Sequence, residues 1–194
     1  MWQLLAAGGI GAASFRSVAE EAGLGVAAVR HFAATQEMLL VQAMRALLRA
    51  QRLRAMAGLD VRRMRERATN DPLEFAVAGI EDLMPRSPDE VVEARAWAAF
   101  SLDAGTSGDE LRLERDNEVR GVCEVLVQGW ARAGLLHPSR AVDLEVDRLW
   151  ALVEGLIWRS AVMGGLAQPD QRLVRLHLCD LAGPSQPRLD PSQT

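Results

Sequence analysis

The chain of 194 residues has no lysine and no tyrosine, only two cysteines, and 5% aromatic residues. Cys123 and Cys179 lie far apart in apolar stretches of helical spacing. They exclude a disulfide scaffold and fit two reduced, buried thiols in a cytoplasmic protein. No run reaches the ~18 consecutive apolar residues that cross a bilayer, so no membrane partner is expected. The stretch Leu4 to Ala13 is apolar, but no basic region precedes it and Gly8, Gly9 and Gly11 break it. It reads as the end of a helix followed by a turn, not as a targeting segment. Excess positive charge is missing as well. The net charge is −4, so no global field draws the chain onto nucleic acid, and any DNA contact must come from a local patch. His31, His137 and His177 belong to three separate segments with no Glu-x-x-His pair, and His177 and Cys179, two apart, fall on different faces of one helix. There is no glycine-rich phosphate loop and no nucleophile elbow. Neither a metal, a cofactor nor an enzymatic activity is expected.

What is present is helical spacing almost throughout. Leu39, Ala43, Ala46, Ala50, Leu53 and Ala57 mark one face of a long helix that Thr35 caps. Leu73, Ala76, Val77, Ile80 and Leu83 mark a second, after Asn70-Asp71-Pro72. A third enters through Ser87-Pro88, carries Val92, Ala96, Ala99 and Phe100, and ends near Gly105. A fourth, with Val119, Val122, Cys123, Leu126, Trp130 and Ala133, stops at Gly134. The fifth carries Val146, Leu149, Trp150, Val153, Leu156 and Ile157. It is apolar on further faces through Leu152, Trp158, Val162 and Met163, which marks a helix buried on more than one side. The last follows Pro169 with Leu173, Val174, Leu176, Leu178 and Leu181. Beyond Gly183 the composition turns to Pro, Ser and Gln, and a frayed tail is expected. Charge divides the chain too. Residues 1–67 hold 10 Arg against 5 acids, whereas the remainder is acidic, so the two parts serve different tasks.

The most informative stretch is Ser14 to Leu40, SFRSVAEEAGLGVAAVRHFAATQEMLL. Ser14 caps a short helix, Phe15 to Ala22, whose Val18, Ala19 and Ala22 are expected to face inward. Gly23 supplies a tight turn of positive φ, and Leu24 is expected to plug it. A second short helix, Val26 to Phe32, turns Val29 inward. This is the spacing of a helix-turn-helix, whose second helix enters the major groove.

In these residues the chain resembles the TetR family of transcriptional regulators. The resemblance is carried by Ser14, Arg16, Val18-Ala19, Ala22-Gly23-Leu24, Val29, His31-Phe32 and Thr35-Gln36-Glu37 followed by Leu39-Leu40, ungapped over about 45 residues. Downstream, the run Glu93 to Phe100 and Val153-Glu154-Gly155-Leu156 resemble the ligand domain of the BetI-type branch. The sequence departs from the family pattern at Arg30, Ala33 and Gln36, where Tyr, Phe and Lys are frequent. The family's first helix begins well before the point equivalent to Met1, and a longer native product starting upstream is expected.

The resemblance implies an all-α fold. Residues 1–54 would form a helix-turn-helix DNA-binding domain with a shortened first helix, 55–182 a helical ligand-binding and dimerisation domain, and 183–194 a flexible tail. It implies a ligand-responsive repressor that binds a pseudo-palindromic double-stranded operator as a homodimer and is released by a small apolar effector. DNA contacts are expected from Ser14, Arg16, Ser17, Ala27, Ala28, Arg30, His31, Thr35 and Gln36. Arg30 is the single Arg of the second helix, and its planar fork matches O6 and N7 of guanine, while Ala27 and Ala28 offer only methyl groups. The Arg run from Arg45 to Arg67 is read as a solvated face pointing away from DNA. The effector is expected in an apolar cavity among Phe75, Trp97, Phe100, Ser101, Leu126 and Trp130, and the dimer contact at Leu149, Val153, Leu156, Trp158, Leu173 and Leu176. The competing reading is a helical dimeric binding or interaction protein that no longer recognises specific DNA.

Overall fold

The computed structural model describes residues 1–58, 72–103, 108–163 and 171–182, with the side chains of 55–58 and 171 left undescribed. Expectations for Arg62 to Arg67, Asn70-Asp71, Gly105 and the tail from Gly183 fall outside these residues. The described residues form α-helices joined by turns, with no strand: α1 (Trp2–Ala12), α2 (Phe15–Ala22), α3 (Val26–Phe32), α4 (Gln36–Gly58), α5 (Pro72–Glu81), α6 (Pro88–Leu102), α7 (Asp109–Arg132), α8 (Val142–Met163) and α9 (Gln171–Leu181). The all-α class expected from the spacing is the class observed. No helix among the described residues is long and apolar enough to cross a membrane.

Local chemistry sets the helix ends. Ser14 accepts from Ser17 N at 3.2 Å and Ser17 Oγ accepts from Ser14 N at 2.9 Å, a reciprocal capping box at the start of α2. Ser87 and Glu90 form the same device at the start of α6, with Pro88 in the first turn. Thr35 Oγ1 accepts from Met38 N at 3.1 Å, the expected cap of α4. α1 is interrupted at its glycines, as the sequence suggested, by the non-helical backbone of Gly9, though no turn ends it there. It runs on to Ala12 across a kink at Gly9, whose φ of 66° is open to glycine and strained for other residues.

The chain divides into two compact units. The first comprises Met1–Gly58, Pro85–Asn117 and Ile157–Pro169, so far as described. In it α1 packs against α6, and a core forms from Leu5, Leu40, Met44, Leu47, Leu48, Ala96, Trp97, Phe100 and Leu111. Trp2 Nε1 donates to Ala43 O at 3.2 Å and ties α1 to α4. A polar clasp joins α4 to α6. Trp97 Nε1 donates to Gln51 Oε1 at 3.1 Å, Gln51 Nε2 donates to Glu93 at 3.2 Å, and Arg54 pairs with the same buried carboxylate. Buried polar groups are tolerated when partnered in this way.

The second unit comprises Leu59–Met84, Glu118–Leu156 and Asp170–Thr194, so far as described. Its buried side chains include Ala76, Val77 and Ile80 of α5, Cys123, Leu126 and Trp130 of α7, Leu149 and Val153 of α8, and Val174 and Leu178 of α9. Burial pushes the Cys123 thiol up to about 12, which leaves it an inert core group. Arg175 donates to Glu74 at 2.9 Å, joining α9 to α5 and holding the Glu74 carboxyl below its ordinary range. Arg140 reaches both Asp180, at 2.7 Å, and the buried Glu145, at 3.2 Å. His177 lies beside this group, and desolvation holds its pKa below the ordinary 6.5, against the opposing pull of Glu145 and Asp180. An unfolded chain therefore takes up this proton more readily than the native one. Stability from His177 is complete above about pH 6.5 and falls as the pH drops below it. Melting temperature is expected to decline between pH 7.5 and 5.5, and His177→Gln to flatten that decline. An unchanged slope in the variant would assign the decline to other groups.

Candidate nucleic-acid interface

α2 and α3 are positioned by a small cluster of Ala19, Val29, Ala33 and Leu39, with Met1, Phe15 and Val18 packed against it. Ala19 is 2% exposed and Val29 3%, so the two helices meet through one small and one branched side chain. Gly23 turns the chain between them with φ 64° and ψ 29°, the left-handed conformation expected of it. Two expectations are corrected here. Ala22 is exposed, and Leu24, at 50% exposure, does not plug the turn. The small cluster of Ala19, Val29, Ala33 and Leu39 does not include them.

The buried Val29 fixes the rotation of α3. At about 100° per residue, Ala27 and His31 point most directly outward, with Ala28 and Arg30 on the two flanks. All four are exposed. Arg30 does not stand free: its guanidinium lies over the Phe15 ring, 5.2 Å from the centroid, drawn toward the start of α2. The ring of Phe32 is 67% exposed and meets His31 edge-on at 6.2 Å between centroids. Phe32 was matched with His31 in the resemblance but was not placed among the expected DNA contacts. Its place beside His31 was the available signal, but an aromatic at the end of a short helix reads as core.

Arg16 is exposed on α2, and Thr35 is exposed at the cap of α4 with Gln36 half-buried beside it. Ser14 and Ser17 are half-buried, and their hydroxyls are engaged within the chain. Ser17 Oγ donates to Ala12 O at 2.6 Å and the two hydroxyls lie 2.9 Å apart. Residues 14–40 carry two cations, Arg16 and Arg30, against Glu20, Glu21 and Glu37, so the basic character of the N-terminal third begins only at Arg45.

The residues expected around an effector are distributed between the two units. Trp97 and Phe100 are packed edge-to-face at 5.8 Å within the core of the first, and Ser101 is exposed on α6. In the second, Leu126 and Trp130 line an apolar recess with Ala76, Val127, Leu136, Leu178 and Leu181, while Phe75 is half-buried on α5. The recess is too narrow to admit even a water molecule. The indole N–H of Trp130 is buried without an acceptor, which is costly in an apolar setting.

The six residues expected at a dimer contact also separate. Leu149, Val153 and Leu156 are buried within the chain, at 0%, 0% and 6% exposure, so their side chains serve its own core. Trp158, Leu173 and Leu176 are exposed. On α8, Trp158 belongs to a stripe with Leu144, Ala151, Gly155 and Val162, all exposed and spaced seven, four, three and four residues apart. On α9, Leu173 and Leu176 make a shorter exposed pair.

No protein-family model matches the chain. It is similar to the HTH-type transcriptional regulator PksA of Bacillus subtilis (strain 168), with 29% identity over 157 residues, covering 80% of this chain and 72% of that protein. Among solved structures it is similar to a transcriptional regulator from Rhodococcus sp. Rha1, with a TM-score of 0.73 and 23% identity, covering 93% of this chain and 90% of the other. It is also similar to a TetR-family transcriptional regulator from Rhodococcus sp., with a TM-score of 0.67 and 17% identity over 93% of each chain. The chain thus has the fold of the TetR-family transcriptional regulators, and over four-fifths of its length it is similar in sequence to a helix-turn-helix regulator.

Proposed function

We propose that this chain is a DNA-binding transcriptional regulator, not an enzyme, that acts in the cytoplasm as a homodimeric repressor released from a pseudo-palindromic operator by a small apolar effector. The observation that carries the reading is the α2–Gly23–α3 unit: a capped helix, a left-handed glycine turn, and a second helix anchored by Val29 with its remaining side chains exposed. A helix presented in this way fits the major groove. The exposed stripe on α8 and the exposed pair on α9 support dimerisation, which would present two such helices to two half-sites. The recess beside Trp130 supports the effector reading. An apolar molecule entering there would have to widen the recess, shifting the population toward a state whose reading helices no longer match adjacent grooves.

Selection from a random duplex library at about 0.1 M salt tests the DNA reading. Enrichment of sites with two-fold symmetry is the expected outcome. A second reading, a helical dimeric binding protein without specific DNA recognition, is favoured by one observation, the excess of Glu over Arg between Ser14 and Leu40. Failure to enrich any sequence would establish that reading in place of the first.

A further inference from the structure

The N-terminal half of a recognition helix is the part that lies against base edges. Here that half holds no polar side chain. From Leu24 to Ala28 the residues are Leu, Gly, Val, Ala and Ala, and every one of them is exposed, Leu24 at 50% and Val26 at 39%. The nearest cation, Arg30, is engaged over the Phe15 ring. No hydrogen bond from these side chains to a base is therefore available.

The major groove offers one apolar feature, the C5-methyl group of thymine; every other base edge there is a donor or an acceptor. An alkyl surface pressed against guanine O6 and N7, or against the cytosine amino group, strips water from a polar atom and returns no partner, which is the expensive outcome for a polar group. Pressed against a thymine methyl, the same surface loses nothing and buries apolar area on both sides. The face thus selects twice, for thymine and against guanine or cytosine.

We propose that α3 specifies its DNA through thymine C5-methyl groups packed against Val26, Ala27 and Ala28, so that these three residues, and not a charged side chain, determine the bases read at the centre of each half-site. This rests on the DNA-binding reading above and deepens it: the partner is a duplex whose half-sites carry thymines in the major groove where α3 enters. It also fits the charge of the segment. With two Arg and three Glu between Ser14 and Leu40, attraction to phosphate is weak, and discrimination has to come from contacts that require no charge.

The test uses the full chain and the duplex most enriched by the selection. Each thymine of a half-site is replaced in turn by deoxyuridine, which removes only the C5-methyl and leaves pairing intact, and affinity is read by fluorescence anisotropy. At one or more thymines per half-site the replacement is expected to weaken binding about three- to five-fold, the worth of one buried methyl. Val26→Thr exchanges a methyl for a hydroxyl on an exposed position, so the fold is retained. In this variant the penalty at the facing thymine is expected to shrink and the exclusion of G·C pairs to relax. Enriched half-sites whose indispensable pairs are G·C, with deoxyuridine neutral throughout, would overturn methyl readout while leaving DNA binding intact. No enrichment of any duplex would overturn both.

Discussion

Trp158→Glu combined with Leu176→Glu is expected to convert a dimer into a folded monomer, read by sedimentation equilibrium at micromolar concentration. Both side chains are largely outside the core of the chain, at 44% and 64% exposure. A substitution at such positions changes the stability of the chain by roughly 0.5 kcal/mol or less, so the helices remain. In a symmetric dimer each residue appears twice at the contact, and each glutamate would be buried there without a cation. An uncompensated buried charge costs several kcal/mol, more than one apolar contact returns. A stable contact is expected to bury at least ~1,200 Å² in total. Leu149→Glu or Val153→Glu is expected to act differently, unfolding the chain, because both residues are wholly buried within it. A native protein that sediments as a monomer would reject the dimer. A double variant that stays dimeric would move the contact away from these two helix faces.

Arg30→Ala is expected to weaken DNA binding by about 1–3 kcal/mol, the worth of a hydrogen bond to a charged group, with an equal loss on selected and random duplexes. The reason is the placement of the guanidinium. Stacked over Phe15, the first residue of α2, it sits on the flank of α3 and not on the outward side of Ala27 and His31. A cation on that flank meets phosphate, which positions the protein without specifying sequence. The salt slope is therefore expected to fall by about one unit per subunit. Selective loss on the enriched duplex, with preference relaxed at one guanine per half-site, would instead make Arg30 a base-reading residue. No loss on either duplex would remove α3 from the groove. Because Arg30 is exposed, its removal should leave dimerisation and melting unchanged, which separates an effect on DNA contact from an effect on folding.

Much of the local architecture was legible before any coordinates. Ser14, Gly23, Thr35 and Ser87-Pro88 set helix boundaries through bonds and dihedral angles made within a few residues, and such short-range chemistry is written in the residues themselves. The helix-turn-helix followed for the same reason: one buried Ala, one left-handed Gly and one buried Val are sufficient to bring two short helices together. The start of α7 was less legible. Its first turns, Asp109 to Asn117, are dominated by charge, so the apolar spacing announced the helix only from Val119.

Side-chain destinations were a different matter. Leu149, Val153, Leu156 and Trp158 share one apolar helix, and periodicity alone shows that this helix is buried on several sides without saying against what. The fold divides them, with the first three in the core of the chain and Trp158 outside it. In the same way Trp97 and Leu126 look equivalent as large apolar residues, yet Trp97 is held through its indole N–H by Gln51, whereas Leu126 lines a narrow recess. Helix rotation gave Arg30 its flank of α3, but not that its guanidinium would lie over Phe15, fifteen positions earlier. The helical class, the caps, the turn at Gly23 and the rotation of α3 depend on neighbours along the chain, and so could be read from the residues in order. The partners of Leu149, Trp97 and Arg30 come from distant parts of the chain and emerge only on folding, because an apolar or flexible side chain carries no record of which distant surface will cover it.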